Sequence, residues 1–207
     1  NPPQVIFDET YYVSDAKIIM VEHSDNRTEH PPLGKLLITS SVALLGDNPV
    51  GWRTFSVLFG TANIVLLYLI FRSLTMSVRA GNFAAFLLTF ENLSFVQGGV
   101  AMLDVFSLTF MLLSFWLYLR QNYPFSALSV ALAALAKLTG VFAILVIFLH
   151  WVIVRRKRTD YFMASMFLAP LSFLLLMPAL EVIIYRRLVD FVYYMKIMLT
   201  QSASLTF

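Results

Sequence analysis

Asp8 and Glu9 are adjacent carboxylates in IFDETYY (6–12), set among Phe7, Tyr11 and Tyr12. Such a pair in a loop is ordinarily just solvated. At the edge of an apolar phase, however, desolvation raises a carboxylate's proton affinity, and the group can then take a proton from a hydroxyl nucleophile. A second group follows in TEHPPLGK (28–35), where Glu29 and His30 precede two prolines. Pro31 and Pro32 fix the backbone and hold both side chains beside the start of a helix. Three cations stand apart from the other basic residues: Lys35, Arg53 in GWR (51–53), and Lys137 in ALAKLTG between two apolar stretches. A charge among apolar spans is costly and marks function unless it snorkels to the interface. Arg53 and Lys137 suit a phosphate at headgroup level, one as a bidentate fork and one as a point charge. Glu91 in FENLSF (90–95) lies among apolar residues and is expected to pair with Arg53 or Lys137. Asp104 in MLDVF (102–106) serves either as a helix-start dipole partner or as a further site carboxylate.

The elements that must carry these groups are apolar. Of 207 residues, 59% are hydrophobic and 13% charged, against roughly 25% charged in soluble domains. The apolar runs are continuous rather than alternating, so the chain is expected to be an all-α polytopic membrane bundle and not a β-barrel. Residues 1–53 read as an outer loop region with one short amphipathic helix over 33–45. Residues 54–185 read as a bundle of about six spans, several of them short, ending in a stretch interrupted by Pro170 and Pro178. FVQGGV (95–100) reads as a turn, and 186–207 as an outer-side segment leading into further chain. The first residues show no signal peptide, and at least one span is expected upstream of them.

Basic residues set the orientation. Arg72, Arg79, Arg120 and the run Arg155, Arg156, Lys157, Arg158 fall on one side if the spans alternate, which makes that side cytoplasmic. The acids and the three odd cations then face outward, where Asn26-Arg27-Thr28 forms a glycosylation triplet. The net charge of +3 reflects this bias, and no basic stripe of the nucleic-acid type is present. With no cysteine, thiolate metal sites and disulfides are excluded. His23, His30 and His150 show no ligand spacing, so no metal site is assigned; a divalent ion on Asp8, Glu9 and His30 is not favoured. His150, beside Trp151, reads as interfacial.

In series, FDE (7–9), EHPPLGK (29–35), GWR (51–53), FENLSFVQ (90–97), MLDVF (102–106) and AKLTG (136–140) resemble the protein O-mannosyltransferases. These are polyprenyl-phosphate-mannose-dependent membrane glycosyltransferases of the GT-C class. The resemblance runs along nearly the whole chain and covers the N-terminal half of the family's catalytic domain. It implies transfer of mannose from a polyprenyl (dolichyl) phosphate to Ser or Thr hydroxyls of proteins, with inversion. Asp8 matches the family's general base and Glu9 its neighbour, which supports acceptor or sugar binding. His30 and Glu29 lie in the loop that shapes the site. Arg53 and Lys137 match cations assigned here to the lipid phosphate, with Glu91 and Asp104 in the same outer-face set. No cofactor is implied, and members pair as dimers. Thr10-Tyr11-Tyr12 departs from the eukaryotic pattern, which carries a histidine and a phenylalanine there. Together with the compact first loop, this favours a prokaryotic cell membrane over the endoplasmic reticulum, with the site on the non-cytoplasmic side.

Other readings are a related GT-C transferase that glycosylates a lipid, as aminoarabinose transferases do, a transporter using Lys137, Glu91 and Arg53, or a non-catalytic paralogue. HPPLGK in place of a KPPL-type loop argues against the first, and the absence of an internal repeat against the second. Substitution of Asp8 separates a transferase from the rest.

Overall fold

A computed structural model describes residues 4–154, 159–187 and 190–204. Among them every regular element is helical. The run of basic residues at 155–158 lies outside the described residues.

The stretch expected to be loop contains a helix. α1 (Glu9–Glu22) buries Tyr12, Val13, Ala16 and Ile19 along one side, a spacing of one helical face. It ends at His23 in the left-handed region, φ 52°. α2 (Pro32–Leu45) starts with Pro32 at its first position, where a missing N–H costs nothing. α3 (Pro49–Thr75) is capped by Asn48, whose side chain accepts from the Val50 and Gly51 N–H groups. Its 27 residues give a length of ~40 Å, enough to cross a bilayer. α4 (Val78–Phe90) returns along α3, and Gly81 makes the close approach possible: a Cβ there would meet the Tyr68 ring at 2.8 Å.

The expected turn at 95–100 is mostly helix. α5 (Asn92–Gly99) is capped by Glu91, and the chain then bends by 114° into α6 (Leu103–Leu119). α7 (Tyr123–Ala136) runs back to the same end. A 3-10 turn (Leu138–Val141) and α8 (Phe142–Val154) follow, then α9 (Thr159–Met166), α10 (Leu168–Tyr185) and α11 (Phe191–Ser204). Pro170 sits in the first turn of α10, where it is tolerated, and Pro178 lies inside the helix.

Among the described residues two stretches, Pro49–Thr75 and Tyr161–Tyr185, are long and apolar enough to span a membrane, or three if α5 and α6 form one bent span. Within the region expected to hold about six spans, Val78–Phe90, Tyr123–Ala136 and Leu138–Val154 are shorter apolar helices. α6 and α7 form the tightest pair in the middle of the bundle. Ser107 and Ser126 there donate to the carbonyls of Ala133 and Ser114, so no small polar group is left bare. At one end, Tyr118, Tyr123, Trp151 and Phe162 make an aromatic cluster near Arg120, with His150 bonded to the Tyr118 hydroxyl at 3.0 Å. At the other end, the starts of α1, α2, α3 and α6 meet the finish of α7. The candidate residues collect there.

Candidate functional site

Asp8 occupies the N-cap position of α1, yet its carboxylate does not cap the helix. Only its backbone carbonyl is used, accepting from the Tyr11 and Tyr12 N–H groups at 2.9 and 3.2 Å. The side chain is exposed and has no hydrogen-bond partner among the described residues. Phe7 before it has φ 52°, a left-handed conformation that costs a bulky residue about 1 kcal/mol and sets the turn presenting Asp8.

Glu9 does the opposite and turns inward, fully buried. Arg53, 1% exposed, grips it through Nε at 2.8 Å and Nη2 at 2.6 Å. Glu9 also accepts from the N–H groups of Ala101 at 3.0 Å and Ile6 at 3.2 Å. Burial alone would raise its pKa, but these donors outweigh burial and hold it below the ordinary glutamate value. Arg53 further donates to the Gln4 carbonyl at 2.8 Å. One carboxylate thus ties together the N-terminal segment, α3 and the bend before α6. Arg53, expected to face a phosphate, is committed to this knot.

Lys137 sits where α7 breaks. Its backbone is extended, φ −155°, and its Nζ donates to Asp104 Oδ1 at 2.7 Å, with both side chains partly exposed. Asp104 therefore pairs with a cation across the interface rather than only serving its own helix. Gly34 of HPPLGK allows this arrangement: a Cβ there would lie 2.8 Å from Leu103 Cδ2 and 2.9 Å from the Ala136 carbonyl oxygen. Those are the residues next to Asp104 and Lys137. His30 lies against the Tyr12 ring, centroids 5.9 Å apart. Burial, first of all, keeps its pKa below the ordinary imidazole value, with Glu29 opposing and Lys35 and Lys137 reinforcing. Asp8, Glu29, His30, Asp104 and Lys137 are thus the predicted residues that come together.

Glu91 does not join them. Its carboxylate accepts from the Leu93 and Ser94 N–H groups at 3.0 and 2.6 Å, and it is exposed. No ion pair links it to Arg53 or Lys137 among the described residues, and the expected pairing is corrected accordingly. Glu91 is the single residue between α4 and α5, which made a cap the nearer use for it.

A second network was not foreseen. Arg27 pairs with buried Asp15 at 2.5 Å and lies over the Tyr11 ring. Lys35, fully buried, bonds Asp25 and donates to the Arg27 carbonyl at 2.7 Å. Together they staple the 23–31 loop to α1 and α2 and so place His30. Asp15 is pushed up by burial despite Arg27 and Lys35. Behind this loop Glu181 and Tyr194 are buried with unbonded side-chain oxygens. A charge buried in a core needs partners, so the run of acids and bases over 15–35 was the available signal. Among the described residues no three His, Asp or Glu side chains converge on a metal position.

Beside the knot, a mainly apolar cavity of about 460 Å³ opens between α3, α4, α5 and α6. Its walls include Ile6, Val57, Asn63, Leu88, Phe95 and Val105. The fold and site together define an all-α membrane protein with a group of acidic side chains and one partly exposed lysine at one end of its bundle.

The chain belongs to the dolichyl-phosphate-mannose-protein mannosyltransferase family, which matches residues 29–185. It is similar to the polyprenol-phosphate-mannose–protein mannosyltransferase of Mycobacterium tuberculosis, 35% identical over 116 residues, 53% of this chain and 22% of that protein. The Mycolicibacterium smegmatis protein of the same name is 33% identical over 118 residues, again 53% of this chain and 22% of the relative. That of Corynebacterium glutamicum is 31% identical over 93 residues, 45% and 18% respectively. The matched region thus spans about a fifth of these relatives' length. No solved structure matches the chain.

Proposed function

We propose that this chain carries the acceptor-activating half of a membrane mannosyltransferase, which moves mannose from a polyprenyl phosphate to a Ser or Thr hydroxyl of a protein. The observation that supports it most is the division of labour between adjacent carboxylates: Glu9 is buried and consumed by Arg53, while Asp8 is exposed and without a hydrogen-bond partner among the described residues. In this reading Asp8 takes the proton of the acceptor hydroxyl as its oxygen attacks the anomeric carbon. The C–O bond to phosphate breaks on the opposite face, so the anomeric centre inverts. The phosphate is already a good leaving group, and its gathering charge needs a cation rather than an acid. Lys137, partly exposed at the break of α7, serves that role, with Asp104 holding its ammonium in place. Arg53 acts through Glu9 by fixing the turn that presents Asp8. His30, kept neutral by burial, does not compete for the proton. The 460 Å³ cavity is of ligand size and suits apolar chain, and Ile6 in its wall lies two residues from Asp8. The side of the membrane follows from the basic residues at the far end and is non-cytoplasmic.

The test is transfer by the full-length protein from polyprenyl-phosphate-mannose to Ser/Thr peptides, with and without chelator. Glycopeptide of inverted anomeric configuration, formed equally with chelator present, is the expected product. Sugar appearing on lipid alone, or retention of configuration, contradicts the reading.

A further inference from the structure

Tyr12 stands one helical turn after Asp8, so the two side chains share a face of α1. Its ring is 5% exposed and belongs to the core cluster of Leu103, Phe106 and Ala136. Leu103 and Ala136 are the immediate neighbours of Asp104 and Lys137, and His30 lies against the ring from the other side. The ring is therefore held between this core and His30, beside Asp104 and Lys137. Of the buried tyrosine hydroxyls, those of Tyr12 and Tyr123 are neither bonded among the described residues nor sealed, and Tyr123 lies in the aromatic cluster at the opposite end of the bundle. The Tyr118 hydroxyl bonds His150, and that of Tyr194 is sealed in without a partner. The Tyr12 hydroxyl makes no hydrogen bond among the described residues and is not sealed. After burial, the charges that act on it are carboxylates, Asp8 and Asp104 first and then Glu29 and Asp15; all of these raise its pKa, so it stays a neutral phenol.

We propose that the Tyr12 hydroxyl is a substrate contact that reads one hydroxyl of the transferred sugar. An anion is a poor occupant of a position facing Asp8, Asp104 and Glu29. A sugar hydroxyl both donates and accepts, so it can give its proton to one of those carboxylates while accepting from the phenol. The ring packing holds the phenol in one place, which is what discrimination between hydroxyl positions requires. The inference rests on the mannosyl-transfer reading and adds to it a residue that selects the sugar.

The experiment compares the full-length parent with Tyr12→Phe, using polyprenyl-phosphate-mannose and its deoxy-mannose analogues as donors. Removal of a hydroxyl that has no protein partner leaves nothing unsatisfied, so Tyr12→Phe should unfold at the parent's temperature. A drop in that temperature shows a structural partner and overturns the proposal. With the mannose donor, kcat/KM should fall roughly 10- to 100-fold, the effect of one hydrogen bond to a charged network. At one deoxy position the parent should lose more than Tyr12→Phe does, by about the factor that separates the two proteins with mannose, since the variant has already lost the phenol contact and has only the carboxylate contact left to lose. Tyr12→Phe with parent activity, or equal losses in both proteins at every deoxy position, refutes the inference. A parent that transfers no mannose at all refutes the functional reading instead.

Discussion

At the scale of single residues, the division between Asp8 and Glu9 carries measurable consequences. Glu9 and Arg53 form a buried pair, and removing one partner leaves the other charged and unsatisfied. Glu9→Gln or Arg53→Leu should each cost roughly 3–5 kcal/mol, read as a lower unfolding temperature. The double substitution Glu9→Leu with Arg53→Leu should cost less than the two single effects summed. Glu9 also predicts a pH dependence. Its folded pKa lies below its ordinary value of 4.5, so its stabilisation is complete above that value and disappears as pH falls through the lower folded one. The unfolding temperature of the parent should therefore drop more steeply below pH 4.5 than that of Glu9→Gln, and parallel curves would show that Glu9 is not stabilised by the knot. The types and rough grouping of Asp8, His30, Asp104 and Lys137 were legible in the sequence because charge is scarce in so apolar a chain. Which of two adjacent carboxylates is exposed was not legible. That depends on the turn at Phe7 and on donors from Arg53 and Ala101, distant in the chain.

Elements position the site through close backbone approaches. Gly34→Ala would press a methyl against Leu103 and the Ala136 carbonyl. The clash should cost roughly 1–3 kcal/mol and separate α2 from the α6–α7 pair. Because Asp104 and Lys137 flank the contact, turnover should fall along with stability. A variant that loses stability while keeping full kcat would show the two elements to be independent. Long apolar helices such as α3 and α10 were readable from hydropathy alone. α1 is hard to read from the sequence because its buried face includes Glu9 and Asp15, which interrupt the apolar stripe. α5 is hard to read because Gly98 and Gly99 look like a turn; Gly98 instead packs against Gly60, where a Cβ on Gly60 would stand 3.1 Å from the Gly98 Cα.

Over the whole molecule, the sequence pattern points to a bundle with its candidate residues at one end, and in the fold Asp8, Glu29, His30, Asp104 and Lys137 share an end while Glu91 stands apart. The short helices were harder to place, because a helix of 13 or 14 residues is apolar enough for a membrane but too short to cross it upright. Sidedness is directly testable, since the described chain contains no cysteine. Single cysteines at Asn26 and at Met76, both exposed, should react differently with a membrane-impermeant thiol reagent in intact cells. Asn26→Cys should label and Met76→Cys should not; the reverse pattern would put Asp8 and Lys137 in the cytoplasm, away from a lipid-linked donor. The most direct measurement of the central claim is Asp8→Asn in the full-length protein, assayed for mannosyl transfer and for binding of polyprenyl-phosphate-mannose. Loss of a general base predicts a fall in kcat of roughly 10²–10⁴ with donor affinity unchanged. An Asp8→Asn protein that turns over at the parent rate, or that fails only by losing the donor, contradicts the account.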